Sequence, residues 1–289
     1  MLSNSFPNIL WNPHQKLWNA RLIRQINSYT WNKEIKDRIV SNIIFLDTLI
    51  WRLKTWIKFF SIKTLAGYEH FTLNYFDLGT HRNARELIFF VNDVLQHFNC
   101  DCNIYAFEAC RSFFEEAKEK TIEIKNIRFF NLALCNDFPD SGKIRLYYFG
   151  ENGLGNSIYR FNDHTFEDVD AKKISDVIRE NNISLENSVN ILRMNIEGAE
   201  FDVITDLINS DLIKYFHGLY GMWDDIWKID PQKDIEFRKM LDKAKIRTFP
   251  FNGRDMDRII RLKMIKENMT KMIIHEIKKM QKLHLHKAF

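Results

Sequence analysis

The sequence predicts an α/β protein with a doubly wound, mostly parallel sheet, and three observations lead to this fold class. Short apolar segments alternate with helical segments from about residue 70 onward, which is typical of βαβ units with parallel strands. Only 10 Gly and 5 Pro occur in 289 residues, too few for a sandwich with many tight turns. Four cysteines are too few for a disulfide scaffold, so we expect reduced thiols.

Five apolar segments of strand length form the predicted central sheet. Each is rich in β-branched, aromatic or other apolar residues and is followed by polar or turn-forming residues. In chain order they lie within residues 73–79, 103–109, 127–134, 189–198 and 217–224. A further strand is predicted at 143–149, where apolar and polar residues alternate.

Helical segments follow these strands. Their apolar residues recur at intervals of three and four, which predicts helices at 83–98, 111–120, 175–182, 199–210 and 231–244. The last begins with Pro231, a residue that suits the first turn of a helix. After Met256 the same spacing predicts a long amphipathic helix, although residues 258–265 are also compatible with a final strand.

The charge pattern divides the chain into an N-terminal helical extension (1–66), a core (67–255) and a basic C-terminal helix (256–289). Residues 1–65 carry ten Lys or Arg and three Asp or Glu, and residues 256–289 carry nine and three. Because the net charge of the chain is +4, the residues between them sum to −9. The basic ends can bind an anionic surface, bind the acidic middle or remain solvated. We expect no nucleic acid, because the crevice region itself is acidic.

Residues 39–60 form the most apolar stretch, but four charged residues interrupt it, so it does not predict a membrane-spanning helix. Packing on the core is favoured over lying in a membrane interface. The C-terminal helix also has too many apolar residues to stay in water, so we expect it to pack or to form an oligomer interface. The chain start does not resemble a signal peptide. We therefore expect a cytoplasmic protein, with peripheral contact at the inner membrane surface as a further possibility.

Two acidic residues at strand ends predict a nucleoside site. The segment FDLGTHRN (76–83) ends the first strand with Asp77 and Gly79, and Glu108 ends the second strand. Ligands of open α/β sheets bind at the carboxyl ends of the strands, where a carboxylate can accept both hydroxyls of a ribose. The alternative is that the two acids cap separate helices. The chain lacks GxxxxGK[ST], which excludes a P-loop, and GxGxxG, which argues against a nicotinamide or flavin dinucleotide.

Five motifs together resemble those of the FkbM-type S-adenosylmethionine-dependent methyltransferases. They are FDLGTHRN, IYAFEA, FFNLAL, GLGNS and ILRMNIEGAEFDVI. The most specific is the family's Lys-Ile-Asp-x-Glu-Gly-x-Glu, which corresponds to residues 193–200 of this chain. The resemblance covers residues 70 to about 225 and implies a Rossmann-like methyltransferase sheet with S-adenosylmethionine as the cofactor.

The resemblance also implies a role for each motif. The Asp-x-Gly loop cradles the methionine part of the cofactor, the acid after the second strand holds the ribose, and the segment after the third strand contacts the adenine. The cofactor-binding residues implied in this way are Asp77, Gly79, Thr80, Glu108, Asn131, Ala133 and Asn195.

The chain departs from the family pattern at Thr80 and His81, where the family has Ala-Asn, and at two further positions. Asn83 replaces the second glycine of the first loop; asparagine tolerates a left-handed backbone, so the turn can survive. Asn195 replaces the aspartate before Glu-Gly, and an amide can make contacts but cannot act as a base. A catalytically inactive, methyltransferase-like binding protein is therefore an alternative to an enzyme.

Transfer to a hydroxyl usually needs a base or a metal. The candidate catalytic residues are Glu197, His217 and Asp224. With Asn195, the pair Asp224 and Asp225 offers oxygen ligands for Mg²⁺, although a solvated acidic turn is the favoured interpretation. The cysteine spacing does not match a zinc module, which favours buried thiols.

The resemblance implies an O-methyltransferase acting on a hydroxyl of a sugar, glycan or glycolipid. A small-metabolite hydroxyl is the alternative acceptor. The sequence is also compatible with a homo-oligomer.

Overall fold

The computed structural model describes residues 70–149, 155–159, 165–223, 225–250 and 258–287, together with seven single residues before residue 70. The chain divides into two compact units, Met1–Tyr68 and Glu69–Phe289. The C-terminal helix that the charge pattern set apart is thus part of the second unit.

The described residues of the first unit are all helical: Ile35, Ile39, Asn42, Leu49, Ile50, Leu53 and Ile57. Leu49, Ile50 and Leu53 are each more than half exposed. Most of residues 39–60 lie outside the described residues, so their packing on the core stays a prediction. In the part of the chain that the structure describes, no helix combines the length and apolar character needed to cross a bilayer. Contact with an anionic membrane stays a prediction.

The strands of the second unit form two sheets. In chain order they are β1 Phe71–Leu78, β2 Cys100–Phe107, β3 Ile127–Phe130, β4 Ala133–Leu134, β5 Lys143–Tyr147, β6 Phe166–Lys172, β7 Ser188–Met194, β8 Phe216–Gly221 and β9 Arg247–Pro250. The central sheet has the order β3-β2-β1-β7-β8-β9, and every neighbouring pair is parallel. This confirms the doubly wound α/β fold, with the strand order reversing between β1 and β7.

The helices of the second unit are α1 Arg85–Phe89, α2 Arg111–Lys120, α3 Ile174–Glu180, α4 Glu200–Asn209, α5 Ile226–Ile229, α6 Pro231–Ala244 and α7 Arg258–Lys287. A π-helical turn (Phe90–Val94) and a 3-10 turn (Leu95–His97) continue α1, and another 3-10 turn (Ile213–Tyr215) precedes β8. The segment 258–265 is helical, so the alternative of a final strand there is wrong.

The structure differs from the predicted elements in the second sheet and at one edge. The segment 127–134 is two strands, because β4 leaves the central sheet and pairs with β6 in a small sheet of order β4-β6-β5. Strands β6 and β9 are not among the elements predicted from the sequence. The sequence of β6, FEDVDAK, buries only Val169 and Ala171, and β9 has only 4 residues, so neither gives a clear apolar pattern.

The two faces of the central sheet are covered by different helices. Alternation along β1 places Phe76 and Leu78 on one face, where they share a core with buried residues of α3, α4 and α6. On the other face, the ring of Tyr75 stacks on that of Phe90, with centroids 3.9 Å apart. Each helical layer therefore protects one side of a sheet whose strands are largely buried.

Helix α7 covers the same face as Phe90 at the other half of the sheet. Its buried residues include Met264, Ile265, Met269, Met272, Ile273 and Ile277. This burial confirms that the C-terminal helix packs. The helix comes close to the sheet at Gly218 of β8, where a Cβ atom would lie 1.9 Å from the Sδ atom of Met272. The side chain of Met272 thus occupies the space that Gly218 leaves empty.

We predict that Gly218→Ala destabilises the second unit by about 1–3 kcal/mol, the usual cost of overpacking a filled core. Met272→Ala should also destabilise the second unit, but it removes the Sδ atom with which the methyl group introduced by Gly218→Ala would clash. Denaturant unfolding of both single variants and of the double variant measures the coupling. The double variant should lose less stability than the sum of the two single losses, and simple additivity would contradict this packing.

Candidate functional site

A cleft opens at the carboxyl ends of β1, β2 and β7, beside the point where the strand order reverses. Gly79 follows β1, Glu108 follows β2, and Asn195 and Glu197 follow β7; all four line the cleft. Ligands of open α/β sheets bind at this edge. The structure therefore brings these four residues, which come from three separate segments of the sequence, to one place.

Backbone contacts hold the Asp-x-Gly loop in position. The N–H groups of Gly79 and Thr80 both donate to the carbonyl of Phe107, at 2.9 Å each, and Asn195 N–H donates to the carbonyl of Leu78 at 3.0 Å. Gly79 has a φ of +82°, and a Cβ atom there would lie 2.1 Å from the carbonyl oxygen of Asn195. Glycine is required here because the loop and the end of β7 touch through their backbones.

The turn after Gly79 takes its left-handed conformation at His81 (φ 61°) and Ala84 (φ 43°), not at Asn83. The turn is thus formed with Asn83 in place of the family's glycine, but without a left-handed backbone at that residue. Its side-chain oxygen instead accepts a hydrogen bond from the ammonium of Lys120 at 3.0 Å. The bond from Ala84 N–H to the carbonyl of His81, at 2.9 Å, closes this turn.

A buried guanidinium lies directly beneath the loop. Arg193 of β7 has a side chain that is 5% exposed, and its Nη1 donates to the carbonyls of Gly79 at 2.6 Å and Leu78 at 3.2 Å. Its Nε and Nη2 lie 2.9 and 2.7 Å from Oε2 of Glu86, and Nη1 lies 3.2 Å from Oδ1 of Asp77. Burial opposes the charge, but Glu86 and Asp77 raise the pKa of Arg193 above its usual value.

Asp77 and Thr80 lie behind the cleft. Asp77 is 1% exposed and does not line the cleft, and Thr80 uses its hydroxyl to donate to the backbone carbonyl of Asp77 at 3.2 Å. Burial raises the pKa of Asp77, while Arg193 opposes that rise. The structure thus gives both residues a part in holding the loop, and the direct cofactor contact that the resemblance implies for them stays a prediction.

Glu108 is the most distinctive polar group of the cleft. Its two carboxylate oxygens accept hydrogen bonds from the N–H groups of His81 at 2.7 Å and Cys110 at 3.0 Å. Burial raises the pKa of Glu108 to about 7, although these two bonds lower it. An ionised carboxylate has about four acceptor sites, so two remain for a ligand.

The segment after β3 forms an apolar wall of the cleft with Leu132, Ala133 and Leu134. Asn131 does not line the cleft; its side-chain amide donates to the carbonyls of Glu108 and Ala109, at 2.9 Å each. Asn131 therefore holds the ends of β2 and β3 together. Across the cleft, Gly155 and Asn156 of the GLGNS motif also contribute to the lining.

The Glu-Gly-x-Glu motif is a rigid loop. Glu200 is fully buried, and its carboxylate accepts the N–H groups of Ile196 and Gly198 at 2.8 Å each. Glu197 has a φ of 52°, a left-handed conformation that is uncommon outside glycine, and Ser157 donates to its carbonyl at 2.7 Å. These contacts fix the backbone of a residue that lines the cleft.

Comparison with protein families gives a match over the same region. A family model described as the methyltransferase FkbM domain matches residues 77–226, just over half of the chain. The chain belongs to the FkbM methyltransferase family. Comparisons with curated proteins and with solved structures gave no match. The match to the FkbM domain ends in α5, so α6, β9 and α7 lie beyond it.

His217, a predicted catalytic residue, lies outside the cleft of the FkbM domain. It is near the amino end of β8, whereas the cleft is at the carboxyl ends of the strands. Its Nδ1 accepts the N–H of Asn190 at 3.1 Å, and its Nε2 lies 4.0 Å from the carboxylate of Glu276 in α7. Burial lowers the pKa of His217. The residue therefore ties β7, β8 and α7 together, and its position at the end of β8 opposite to the cleft gives no support to its predicted role as a base.

The predicted metal site finds no support among the described residues. Asp224 lies outside them, and the carboxylate of Asp225 pairs with the ammonium of Lys228. In the described ranges no group of three or more His, Cys, Asp or Glu could hold a metal ion. The four cysteines are free thiols, and three of them are buried, which agrees with the expectation of reduced thiols.

Two features near the cleft were not predicted from the sequence. An arginine inside the apolar strand ILRMN requires a buried acid, and this signal could have drawn attention to the pair of Arg193 with Glu86. The second feature is Asp202 of α4, which accepts hydrogen bonds from the Tyr159 hydroxyl at 3.3 Å and from Asn136 N–H at 3.4 Å. It joins α4 to two segments beside the cleft. Asp202 lies within the motif ILRMNIEGAEFDVI, but its partners are distant in the sequence and gave no signal.

The backbone contact at Gly79 leads to a prediction with a matched control. Gly79→Ala and Gly142→Ala both place a side chain at positive φ, but no atom lies within 4 Å of a Cβ at Gly142. We expect Gly142→Ala to cost about 1–2 kcal/mol of unfolding free energy, from the left-handed backbone alone. Gly79→Ala should cost clearly more, because the loop must also move away from β7. Equal losses in denaturant unfolding would show that the contact with Asn195 is easily relieved.

Proposed function

We propose that this protein is an S-adenosylmethionine-dependent O-methyltransferase whose acceptor is a hydroxyl of a sugar, glycan or glycolipid. The observation that carries the proposal is Glu108, a buried carboxylate at the end of β2 with two acceptor sites left for a ligand. It stands in a cleft at the switch point of the sheet in a chain of the FkbM methyltransferase family. The acceptor class comes from the family resemblance alone.

The residues of the cleft fit this cofactor. Glu108 can accept the two ribose hydroxyls. The apolar wall of Leu132, Ala133 and Leu134 suits the adenine ring, and the loop at Gly79, with Asn195 opposite, borders the space for the methionine part. When bound, S-adenosylmethionine supplies an electrophilic methyl group on its sulfonium.

The protein then has to hold the acceptor hydroxyl in line with the methyl–sulfur bond and to provide an acceptor for its proton. Alignment of two reactants alone can supply much of a rate enhancement. Of the two predicted catalytic residues that the structure describes, Glu197 lines the cleft and His217 does not, and the backbone at Glu197 is fixed by Glu200 and Ser157. We assign Glu197 the contact with the acceptor hydroxyl. Its carboxylate accepts a hydrogen bond from this hydroxyl or takes up its proton.

A binding protein without turnover is the second candidate, and Asn195 favours it. This amide lines the cleft where the family has an aspartate, and it cannot take up a proton. Both candidates require the cofactor to bind, so they differ only in transfer.

Calorimetry with S-adenosylmethionine and S-adenosylhomocysteine tests the cofactor. Incubation with the methyl-labelled cofactor and a panel of free sugars, glycolipids and small hydroxyl compounds then tests transfer. A sugar-containing product that gains one methyl group on oxygen supports the proposal. Binding without transfer to any acceptor supports the second candidate, and absence of binding contradicts both.

Glu197→Gln should separate binding from transfer. The variant keeps the size and polarity of the side chain, so we expect affinity for S-adenosylhomocysteine within twofold of the parent. Loss of a proton acceptor should lower the transfer rate by about 100-fold, the lower end of general-base effects. If the rate is unchanged, Glu197 does not contact the acceptor hydroxyl in the way proposed.

The raised pKa of Glu108, about 7, predicts that cofactor affinity depends on pH. Below this pKa the carboxyl is neutral and accepts ribose hydroxyls less well, so affinity should rise with pH. Between pH 6 and pH 8 the dissociation constant of S-adenosylhomocysteine should fall about tenfold, following the ionised fraction. Glu108→Gln should bind more weakly and show no such change, and circular dichroism at both pH values controls for the fold. A flat profile for the parent would mean that the ionised form is not needed.

A further inference from the structure

The buried charges beneath the cleft continue into the C-terminal helix. Arg261 of α7 places its Nε 3.4 Å from Oε1 of Glu86, while the other oxygen of Glu86 holds Arg193. Arg193 in turn donates to the carbonyl of Gly79, which lines the cleft. A continuous series of charged contacts therefore joins a helix beyond the FkbM domain to the loop at the cleft.

Burial makes each member of this series depend on the next. The side chains of Arg193 and Glu86 are 5% and 9% exposed, and that of Arg261 is 17% exposed. A buried charge that loses a partner is poorly solvated, so its neighbours must rearrange or water must enter. One arginine lies beside each carboxylate oxygen of Glu86. Loss of Arg261 would therefore remove one of the two cations that balance the buried charge of Glu86.

The geometry of Arg193 couples such a rearrangement to the position of the loop at Gly79. A guanidinium is planar and its donors point in fixed directions. Arg193 divides these donors between Glu86 on one side and the carbonyls of Leu78 and Gly79 on the other. A shift of Glu86 therefore turns the donors away from the loop, and the tight contact of Gly79 with Asn195 leaves the loop little room to follow.

We propose that Arg261 is a positioning residue for the cofactor loop, so that helix α7 completes the binding site through Glu86 and Arg193. This inference rests on the proposed function in so far as the cleft binds S-adenosylmethionine. It assigns the segment beyond the FkbM domain a part in the site without any direct contact with the cofactor.

Lys266 provides a matched control on the same helix. Its side chain is 7% exposed and pairs with Asp93 at 3.1 Å, and neither residue lines the cleft. Lys266→Met and Arg261→Met each remove one buried cation of α7 and keep an unbranched apolar side chain. Only Arg261→Met interrupts the series that leads to Gly79.

Two measurements on the full chain test the proposal. We expect Arg261→Met to weaken binding of S-adenosylhomocysteine by about fivefold or more, which is within the usual range of coupling between sites. Hydrogen exchange of the amides of residues 78–84 should become faster in the same variant. Lys266→Met should leave both quantities within twofold of the parent, and Arg261→Lys, which restores a cation, should recover part of the loss.

A double-variant cycle checks the route. Glu86→Gln and Arg261→Met should be non-additive in affinity, because the second change removes a contact that the first has already weakened. Equal effects of Arg261→Met and Lys266→Met, or no effect of Arg261→Met on exchange at 78–84, would overturn the proposal. If the parent does not bind S-adenosylhomocysteine, the proposed function fails, and the exchange comparison still decides whether Arg261 positions the loop.

Discussion

The rest of the site depends on the burial of one guanidinium, that of Arg193. A charge in this position is stable only if carboxylates and carbonyls surround it, and Asp77, Glu86 and the loop carbonyls of Leu78 and Gly79 meet this requirement. The same contacts fix the path of the backbone at the end of β1. The buried charge of Arg193 on β7 thus determines the path of the loop that follows β1.

The acidic residues around the cleft divide into two groups. Glu86 and Glu200 have their oxygens engaged by an arginine pair and by backbone N–H groups, so they serve the structure. Glu108 and Glu197 line the cleft. Motif recognition alone does not separate these groups, because both contain residues of the family pattern. Their position separates them, because Glu108 accepts two backbone N–H groups, as Glu200 does, and yet lines the cleft.

The sequence was sufficient for the parallel sheet because most of its strands are apolar runs between amphipathic helices. It was also sufficient to select Gly79, Glu108, Asn195 and Glu197, since residues that follow parallel strands meet at one edge. It could not show on which face of β1 the side chain of Asp77 lies. That depends on the strand's exact register, and a shift of one residue moves a side chain to the other face.

The direct contact between Gly218 and Met272 has a consequence for related chains. The side chain of Met272 fills the space that Gly218 leaves, so the glycine and the C-terminal helix form one structural feature although the FkbM match includes only the first. Without the helix, this position of β8 would border an open groove that a larger apolar residue would fill. We therefore expect glycine here in chains of the family that keep the helix, and a larger apolar residue in those that lack it.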